Sequence, residues 1–505
     1  MDENLDEILV GTRAGKVSGR RAGGVAVFRG IPYAASTGGA NRFRPPQPVE
    51  AWSEARDASA FGAVAPQAPS ALEALLGQTE IASSEDCLFL NVWTPATDDR
   101  RRPVMVWIHG GAFIFGSGST PWYDGTRFAS AGDVVVVTIN YRLGAFGFSH
   151  LDVLGREEFG DDRFAGSGNL GILDQIAALE WVRDNIEGFG GNPDDVTIFG
   201  ESAGAFSVGT LLGTPAADGL FHRAILQSGA AAFATEPADA TSVARQLLET
   251  TGVATVAELV ALPTEAVLAA QQLMIAASGS LGLPFRPVVD GTVLPATPLD
   301  TIASGATGDV PILVGTNLDE TTLFLVLDPT LANLDETMLV DRATTMFGDH
   351  ATDAVERYRV NRTDASLRDV LVAITTDGVF RIPAIRLAEA QARQGRPVYS
   401  YLFTWATPVF DGALRSSHAL EIPFVFDNLH QPGAQFFTGD GPERAALATT
   451  MHEAWIRFAR TGNAGWSKYD LDHRATQIFD AVDHPVIDDP AGDERAIWEG
   501  FSYRP

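Results

Sequence analysis

The most constraining feature of the chain is a serine between two glycines, with a strand pattern before it and a helix pattern after it. Residues 196–199 form a short β-branched and aromatic run, and residues 203–212 are small and apolar enough to pack as a buried helix. Between them, Ser202 predicts a sharp turn that presents its hydroxyl, with Gly200 and Gly204 where a Cβ would clash. The flanks favour a nucleophilic serine in an α/β fold over an ordinary strand-to-helix turn.

A second motif lies upstream, where the apolar residues 104–108 run into His-Gly-Gly-Ala-Phe at 109–113. Glycine-rich backbone after a strand can turn its N–H groups outward into a nest for negative charge. We therefore expect the N–H groups of Gly111 and Ala112, with that of Ala203 at the start of the helix, to face an oxyanion. His109 is interpreted as a structural residue that braces the loop, because in folds of this type the base follows the nucleophile in chain order.

Further motifs are spread along the whole chain. They are FRGIPYA at 28–34, RFRPP at 42–46, SEDCLFLNV at 84–92, NYRLG at 140–144, NLGILDQ at 169–175, QSG at 227–229 and PVVDG at 287–291. Together with the serine turn, they resemble the type-B carboxylesterases, the cholinesterase and para-nitrobenzyl esterase family within the α/β hydrolases. The resemblance implies an α/β-hydrolase fold, with a mostly parallel central sheet flanked by helices and helical cap insertions.

The acid and base of a catalytic triad should lie downstream of Ser202. Residues 311–317 supply a strand and a turn followed at once by Asp319 and Glu320, and the residues alone do not choose between these carboxylates. The family motif places the acid at Glu320, and Thr321 stands where that motif has a glycine. The resemblance also places the base at His418, within residues 416–426, where Ser417 replaces a nearby glycine. Glu201 and Ser228 are expected to support the site.

These parts predict ester hydrolysis through an acyl-enzyme, with no metal or organic cofactor. Ser202 would be the nucleophile, His418 the general base and Glu320 the group that orients the base. Amide, carbamate or thioester cleavage by the same triad is the alternative, since the nucleophile and the oxyanion hole are shared. A catalytically inactive binding module is a second alternative, against which the presence of all three triad residues argues.

The substrate pocket is predicted from the resemblance alone. Its acyl side and gorge are assigned to Leu281, Leu283, Phe285, Phe113, Leu323 and Phe324. Cholinesterases carry bulky aromatics at the first two of these places, so leucines there predict room for a longer acyl group. For Leu323 and Phe324, plain core packing is the competing interpretation.

Composition narrows the partners. The formal net charge of −28 opposes binding to nucleic acid, anionic membranes and highly anionic substrates, which leaves a small-molecule ester as the expected partner. Cys87 is the only cysteine, so an intrachain disulfide is impossible. The acidic N-terminus lacks the apolar stretch of a signal peptide, and no apolar run approaches the ~18 residues of a membrane span. We expect a cytoplasmic monomer or homodimer.

Strand and helix signals alternate from residue 104 to residue 227, as a parallel, doubly wound sheet requires. Helical patterns interrupt this alternation at approximately 230–280 and 331–393. We therefore expect one α/β-hydrolase domain over residues 1–505, in which these two insertions cap the C-terminal edge of the sheet.

Overall fold

The unit around Ser202 lies near the centre of a mixed β-sheet in the computed structural model, which describes residues 7–69, 82–278, 283–326 and 328–501. Within these residues one sheet has thirteen strands: β1 (Glu7–Gly11), β2 (Lys16–Ala22), β3 (Val25–Pro32), β4 (Arg56–Asp57), β5 (Phe89–Thr94), β6 (Arg102–Ile108), β7 (Val135–Ile139), β8 (Gly191–Glu201), β9 (Arg223–Gln227), β10 (Ile312–Asn317), β11 (Val398–Phe403), β12 (Ala475–Phe479) and β13 (Val486–Asp488). Their order is β1-β2-β3-β5-β7-β6-β8-β9-β10-β11-β12-β13, and β4 pairs with β2.

The middle of the sheet is parallel. From β7 through β6 and β8 to β12 every neighbouring pair is parallel, and the antiparallel pairs lie at the two sides. β7 and β10 are buried along their whole length, as parallel strands covered on both faces must be. The predicted fold class is confirmed.

Successive residues of β6 serve two different cores, because side chains alternate across a strand. Val104, Val106 and Ile108 belong to the apolar core on one face. Met105 and Trp107 belong to the core on the other face. The helices that accompany these cores are Thr126–Gly132, Gly144–Phe148, Asp152–Phe159, Leu170–Asn185, Ala203–Leu212, Pro237–Thr251, Val256–Ala261, Thr264–Ala277, Pro298–Ala303, Thr322–Leu325, Glu336–Phe347, Ala351–Asn361, Leu367–Thr376, Ile382–Arg393, Ile422–Val425, Ala434–Thr438, Glu443–Thr461 and Gly492–Arg495.

Both predicted insertions are helical where they are described. In the second, a π-helical turn, Asp377–Arg381, joins the helix Leu367–Thr376 to the helix Ile382–Arg393. A third apolar core includes Leu339 and Tyr358 of this segment together with Ile497 and Trp498 from the end of the chain. No helix in the described ranges is both long and apolar enough to cross a membrane.

The segments predicted to carry chemistry all follow the carboxyl ends of parallel strands. β6 leads into the loop at 109–113, β8 into Ser202, β10 into Glu320, and β11 into the loop that carries His418. Because the carboxyl ends of parallel strands meet at one edge of the sheet, residues far apart in sequence converge there.

Candidate active site

The turn at Ser202 has strained backbone geometry. Its φ of 54° and ψ of −123° lie outside the regions that most residues occupy. The flanking glycines permit this turn, since a Cβ on Gly200 or Gly204 would lie 2.6 or 1.9 Å from the carbonyl oxygen of Ile108. The Ser202 amide donates to the carbonyl of Gln227 at 2.9 Å, which ties the turn to β9. Strain of this kind is characteristic of functional positions.

Glu320 and His418 form a buried acid–base pair. His418 Nδ1 lies 2.6 Å from Glu320 Oε2, and the His418 amide donates to the Glu320 carbonyl at 3.1 Å. The other carboxylate oxygen, Oε1, accepts the amide of Asn317 at 2.7 Å. The Asp319 carboxylate lies 3.9 Å from Arg415 and forms no ion pair with the histidine among the described residues. Of the two carboxylates that the sequence left open, only Glu320 contacts the imidazole.

The second imidazole nitrogen of His418 faces another acid. Nε2 lies 3.1 Å from Glu201 Oε1, and within the described ranges Ser202 Oγ makes no hydrogen bond to this nitrogen. Burial lowers the pKa of His418, but the charges of Glu201 and Glu320 outweigh burial and raise it. Burial has the opposite effect on the acid: it raises the pKa of Glu201, and the charge of His418 only partly offsets this rise. Catalytic hydrogen bonds are often long in free enzymes and tighten only when substrate binds.

The glycine-rich loop packs directly against the serine turn. Gly111, Ala112 and Phe113 have positive φ angles of 110°, 55° and 61°. A Cβ on Gly110 would lie 3.2 Å from Ser202 Cβ, so the two turns are in van der Waals contact. Among the described residues, no acceptor pairs with the N–H groups of Gly111 and Ala112. The Ala203 N–H is the first in its helix and has no partner within that helix.

His109 is the first residue of this loop, directly after β6. Its Nδ1 lies 2.7 Å from the carbonyl of Gly110, and its ring stacks on Tyr141 with 4.4 Å between centroids. Burial lowers the pKa of His109 to about 4, so the side chain is neutral near pH 7. These contacts match the bracing role expected from the sequence.

The predicted pocket residues have different surroundings. Phe113 is fully buried and lies edge-on to Phe148. Phe285 is fully buried in the core that contains Val104 and Val106, which is called the main core below. Leu323 and Phe324 are half-buried, and the Phe324 ring lies 5.2 Å from that of His418. Leu283 is also half-buried and packs on the main core, whereas Leu281 lies outside the described residues.

Three aromatic residues that the sequence analysis missed lie beside these predicted pocket residues. Phe206 stacks on Phe233 with 4.5 Å between centroids and lies 6.3 Å from Phe380. The Phe380 ring is 4.8 Å from the His418 ring, and Phe233 lies 6.2 Å from Phe113. The rings therefore run from the glycine-rich loop to the histidine. Only Phe206 had a local signal, since it follows Ser202 by one helical turn.

A further carboxylate, Glu421, was also missed. It is fully buried, and its two oxygens accept the side-chain amides of Gln227 at 3.0 Å and Asn317 at 2.7 Å. Burial raises the pKa of Glu421. Its position three residues after His418 was the signal available in the sequence. Ser228 is buried with a φ of 53°, and its Oγ has no partner among the described residues.

Comparison with known proteins returns one family along nearly the whole chain. The model of the carboxylesterase family matches residues 6–486. A para-nitrobenzyl esterase of Bacillus subtilis is 41% identical over 96% of this chain and 97% of its own. A phenmedipham hydrolase of Pseudarthrobacter oxydans is 37% identical over 90% of each chain. Among solved structures, a carboxylesterase of Geobacillus stearothermophilus matches with a TM-score of 0.87 and 45% identity, covering 97% of this chain and 99% of its own.

Proposed function

The chain belongs to the carboxylesterase family and is a serine carboxylic ester hydrolase, and from this premise we propose that Ser202, His418 and Glu320 carry its reaction. The observation that carries the proposal is the 2.6 Å contact between Glu320 and the His418 Nδ1 atom, beside a strained serine turn. Replacement of Ser202 and of Glu320, described in the Discussion, tests it.

In the proposed mechanism, Ser202 Oγ attacks the ester carbonyl carbon while its proton passes to His418 Nε2. The oxyanion of the tetrahedral intermediate accepts hydrogen bonds from the N–H groups of Gly111, Ala112 and Ala203. Each such donor stabilises the transition state by about 3 kcal/mol in comparable sites. Collapse breaks the bond to the alcohol, which takes the proton from the imidazolium. A water molecule then attacks the acyl carbon while His418 takes its proton. The bond between the acyl carbon and Ser202 Oγ breaks, the acyl group leaves as a carboxylic acid, and His418 returns the proton to Ser202 Oγ.

Glu320 supports both proton transfers. Its carboxylate accepts a hydrogen bond from the Nδ1–H group, which selects the tautomer whose Nε2 is free to act as a base and stabilises the imidazolium. Because Nε2 contacts Glu201 in the free protein, we propose that it exchanges this contact for Ser202 Oγ when the substrate binds.

The contact with Glu201 predicts a pH effect. The Glu201 carboxylate lies 3.1 Å from Nε2 and favours the charged imidazole, which cannot act as a base. Glu201→Gln should therefore lower the pKa of His418 and move the acidic limb of kcat/KM to lower pH by about one unit. The measurement is the pH profile of p-nitrophenyl butyrate hydrolysis. Glu157→Gln, which removes an exposed carboxylate, is the control, and an unmoved limb in Glu201→Gln would contradict the role assigned to Glu201.

For the acyl side, we propose that Leu281 and Leu283 form part of the wall, with the rings of Phe113, Phe206 and Phe233 behind it. Leu281 lies outside the described residues, so its assignment depends on the family resemblance. Leucines at these places predict a preference for acyl chains of about four to eight carbons over acetate, because a methylene that fits is worth roughly 1–3 kcal/mol in transition-state binding.

Replacing both leucines by phenylalanine should fill the space of a long acyl chain. The double variant should lose octanoate hydrolysis roughly 10–200-fold while keeping acetate hydrolysis within a few-fold. The measurement is kcat/KM for p-nitrophenyl esters of graded length. Leu273→Phe, at a side chain that is 64% exposed, controls for added bulk elsewhere. An unchanged chain-length profile in a folded double variant would place the wall elsewhere.

The same panel extended to anilides and carbamates tests the alternative hydrolase activities. By their names, relatives of this chain act on para-nitrobenzyl esters and on phenmedipham, and we propose a similar small-molecule substrate here. We also propose that the helices within 230–280 and 331–393 cap the site. Cytoplasmic location and a monomeric or dimeric state remain predictions from the sequence.

A further inference from the structure

One helical segment of the second insertion contacts both the loop of the acid and the ring of the base. The segment consists of the helix Leu367–Thr376 and the π-helical turn Asp377–Arg381. We propose that its threonines Thr375 and Thr376, together with Thr321, form a clamp that positions Glu320 against His418. We call these three residues the threonine clamp. The inference rests on the triad roles proposed above.

Within the clamp, the helix binds Thr321, the residue that directly follows the acid. The Thr321 and Thr375 hydroxyls lie 2.6 Å apart, and the Thr321 hydroxyl also donates to the Val372 carbonyl at 3.1 Å. The Thr321 amide donates to Thr376 Oγ1 at 3.3 Å. All three threonines are buried, so their hydrogen bonds are shielded from competition with water.

Position 321 is where this chain departs from the family motif, which has glycine there. A glycine can form the amide bond to Thr376 but has no hydroxyl for Thr375 or Val372. It also leaves the backbone freer, whereas a buried β-branched residue restricts it. The threonine therefore adds side-chain anchors one residue from a carboxylate that must hold the imidazole in a single orientation.

The same segment reaches the imidazole from another side. Phe380, within the π-helical turn, places its ring 4.8 Å from that of His418. π-Helical turns within regular helices are frequent at functional sites. Because the turn follows Thr376 directly, movement of the helix would shift the acid loop and the Phe380 ring together.

Two ion pairs link the N-terminal end of the helix Leu367–Thr376 to the loop that carries His418 and to the loop that carries Glu320. Asp369, in the first turn, lies 2.6 Å from Arg415 of the His418 loop, and Arg415 lies 3.9 Å from Asp319 of the acid loop. Arg415 is 42% exposed, so this link adds little stability by itself. It indicates that the helix is joined to the two loops at both of its ends.

The test compares Thr321→Val, which keeps the shape but removes the hydroxyl, with Thr321→Ser, which keeps the hydroxyl. We expect Thr321→Val to lower kcat for p-nitrophenyl butyrate on the order of tenfold, with KM within about twofold, because small misplacements of catalytic groups are costly. Thr321→Ser should stay within about twofold of the wild type. Thr241→Val, at a buried threonine of the helix Pro237–Thr251, is the matched control.

The pH profile separates positioning from simple destabilisation. The negative charges of Glu201, Glu320 and Glu421 all raise the pKa of His418, and a looser Glu320 would favour the imidazolium less. The acidic limb of kcat/KM should therefore move to lower pH in Thr321→Val but not in Thr321→Ser or Thr241→Val. A Thr321→Val protein with kcat within twofold of the wild type and an unmoved limb would overturn the clamp.

If Thr321→Val does not fold, Thr375→Val decides the question, since it removes only the partner hydroxyl. It should reproduce the loss of kcat and the shift of the limb, and the absence of both would overturn the proposal. Glu320→Gln in the same assay keeps the two hypotheses apart. An active Glu320→Gln would refute the triad, whereas an inactive Glu320→Gln beside wild-type behaviour of both threonine variants would refute the clamp alone.

Discussion

Replacing Ser202 by alanine should lower kcat for p-nitrophenyl butyrate by at least about ten-thousandfold, because loss of a triad serine removes the covalent pathway altogether. The fold should survive. Alanine keeps the Cβ that the turn already accommodates at φ 54°, and the amide that donates to Gln227 is unchanged. Circular dichroism and the unfolding midpoint should match those of the wild type.

Ser149→Ala is the matched control, because Ser149 is buried and its hydroxyl donates only to the Ala145 carbonyl at 2.7 Å among the described residues. This variant should keep close to full activity. If Ser202→Ala retained more than about a hundredth of the wild-type rate in a preparation free of other esterases, Ser202 could not be the nucleophile.

The turn at Ser202 was predictable because its requirements lie within a few neighbouring residues. Two glycines, a β-branched strand and a small apolar helix are all local, and the structure explains the glycines by their approach to the carbonyl of Ile108. The same holds for the fold class, since alternating strand and helix signals together with family motifs along the chain suffice to identify it.

The acid was not predictable in this way. Asp319 and Glu320 are adjacent, and which of them points inward depends on how the end of β10 packs against a loop 98 residues away. The resemblance chose Glu320, and the contact with Nδ1 supports that choice. Local sequence carries no information about such a distant packing partner.

The other residues around the site that the sequence analysis missed were missed for the same reason. Phe233 and Phe380 reach the site from separate segments, and neither belongs to a motif that the sequence analysis used. The place of Glu421 in the site is visible only in the folded chain, where the side-chain amides of Gln227 and Asn317, on two different strands, donate to its carboxylate. Pocket walls and buried networks are built by tertiary convergence, which single-sequence periodicity does not encode.

The choice between the two carboxylates leads to a further prediction. Glu320→Gln should lower kcat by at least about a hundredfold, whereas Asp319→Asn should change it by only a few-fold. Both oxygens of Glu320 accept a hydrogen bond: Oε2 accepts one from His418 Nδ1–H, and Oε1 accepts one from the backbone amide of Asn317. A glutamine has a single amide oxygen, so its NH2 group must face one of these donors. If the NH2 group faces His418, the repulsion is avoided when the imidazole proton moves from Nδ1 to Nε2. In that tautomer Nε2 can no longer accept the proton of Ser202.

Asp319→Asn is the matched control, since it makes the same chemical change one residue earlier. Its carboxylate lies 3.9 Å from Arg415 and does not contact His418, so the substitution weakens an ion pair that does not involve the imidazole. The measurement is kcat and KM for p-nitrophenyl butyrate in both variants, with unfolding midpoints to exclude global damage. If Asp319→Asn suffered the large loss and Glu320→Gln the small one, Asp319 would be the acid and the triad would shift by one residue.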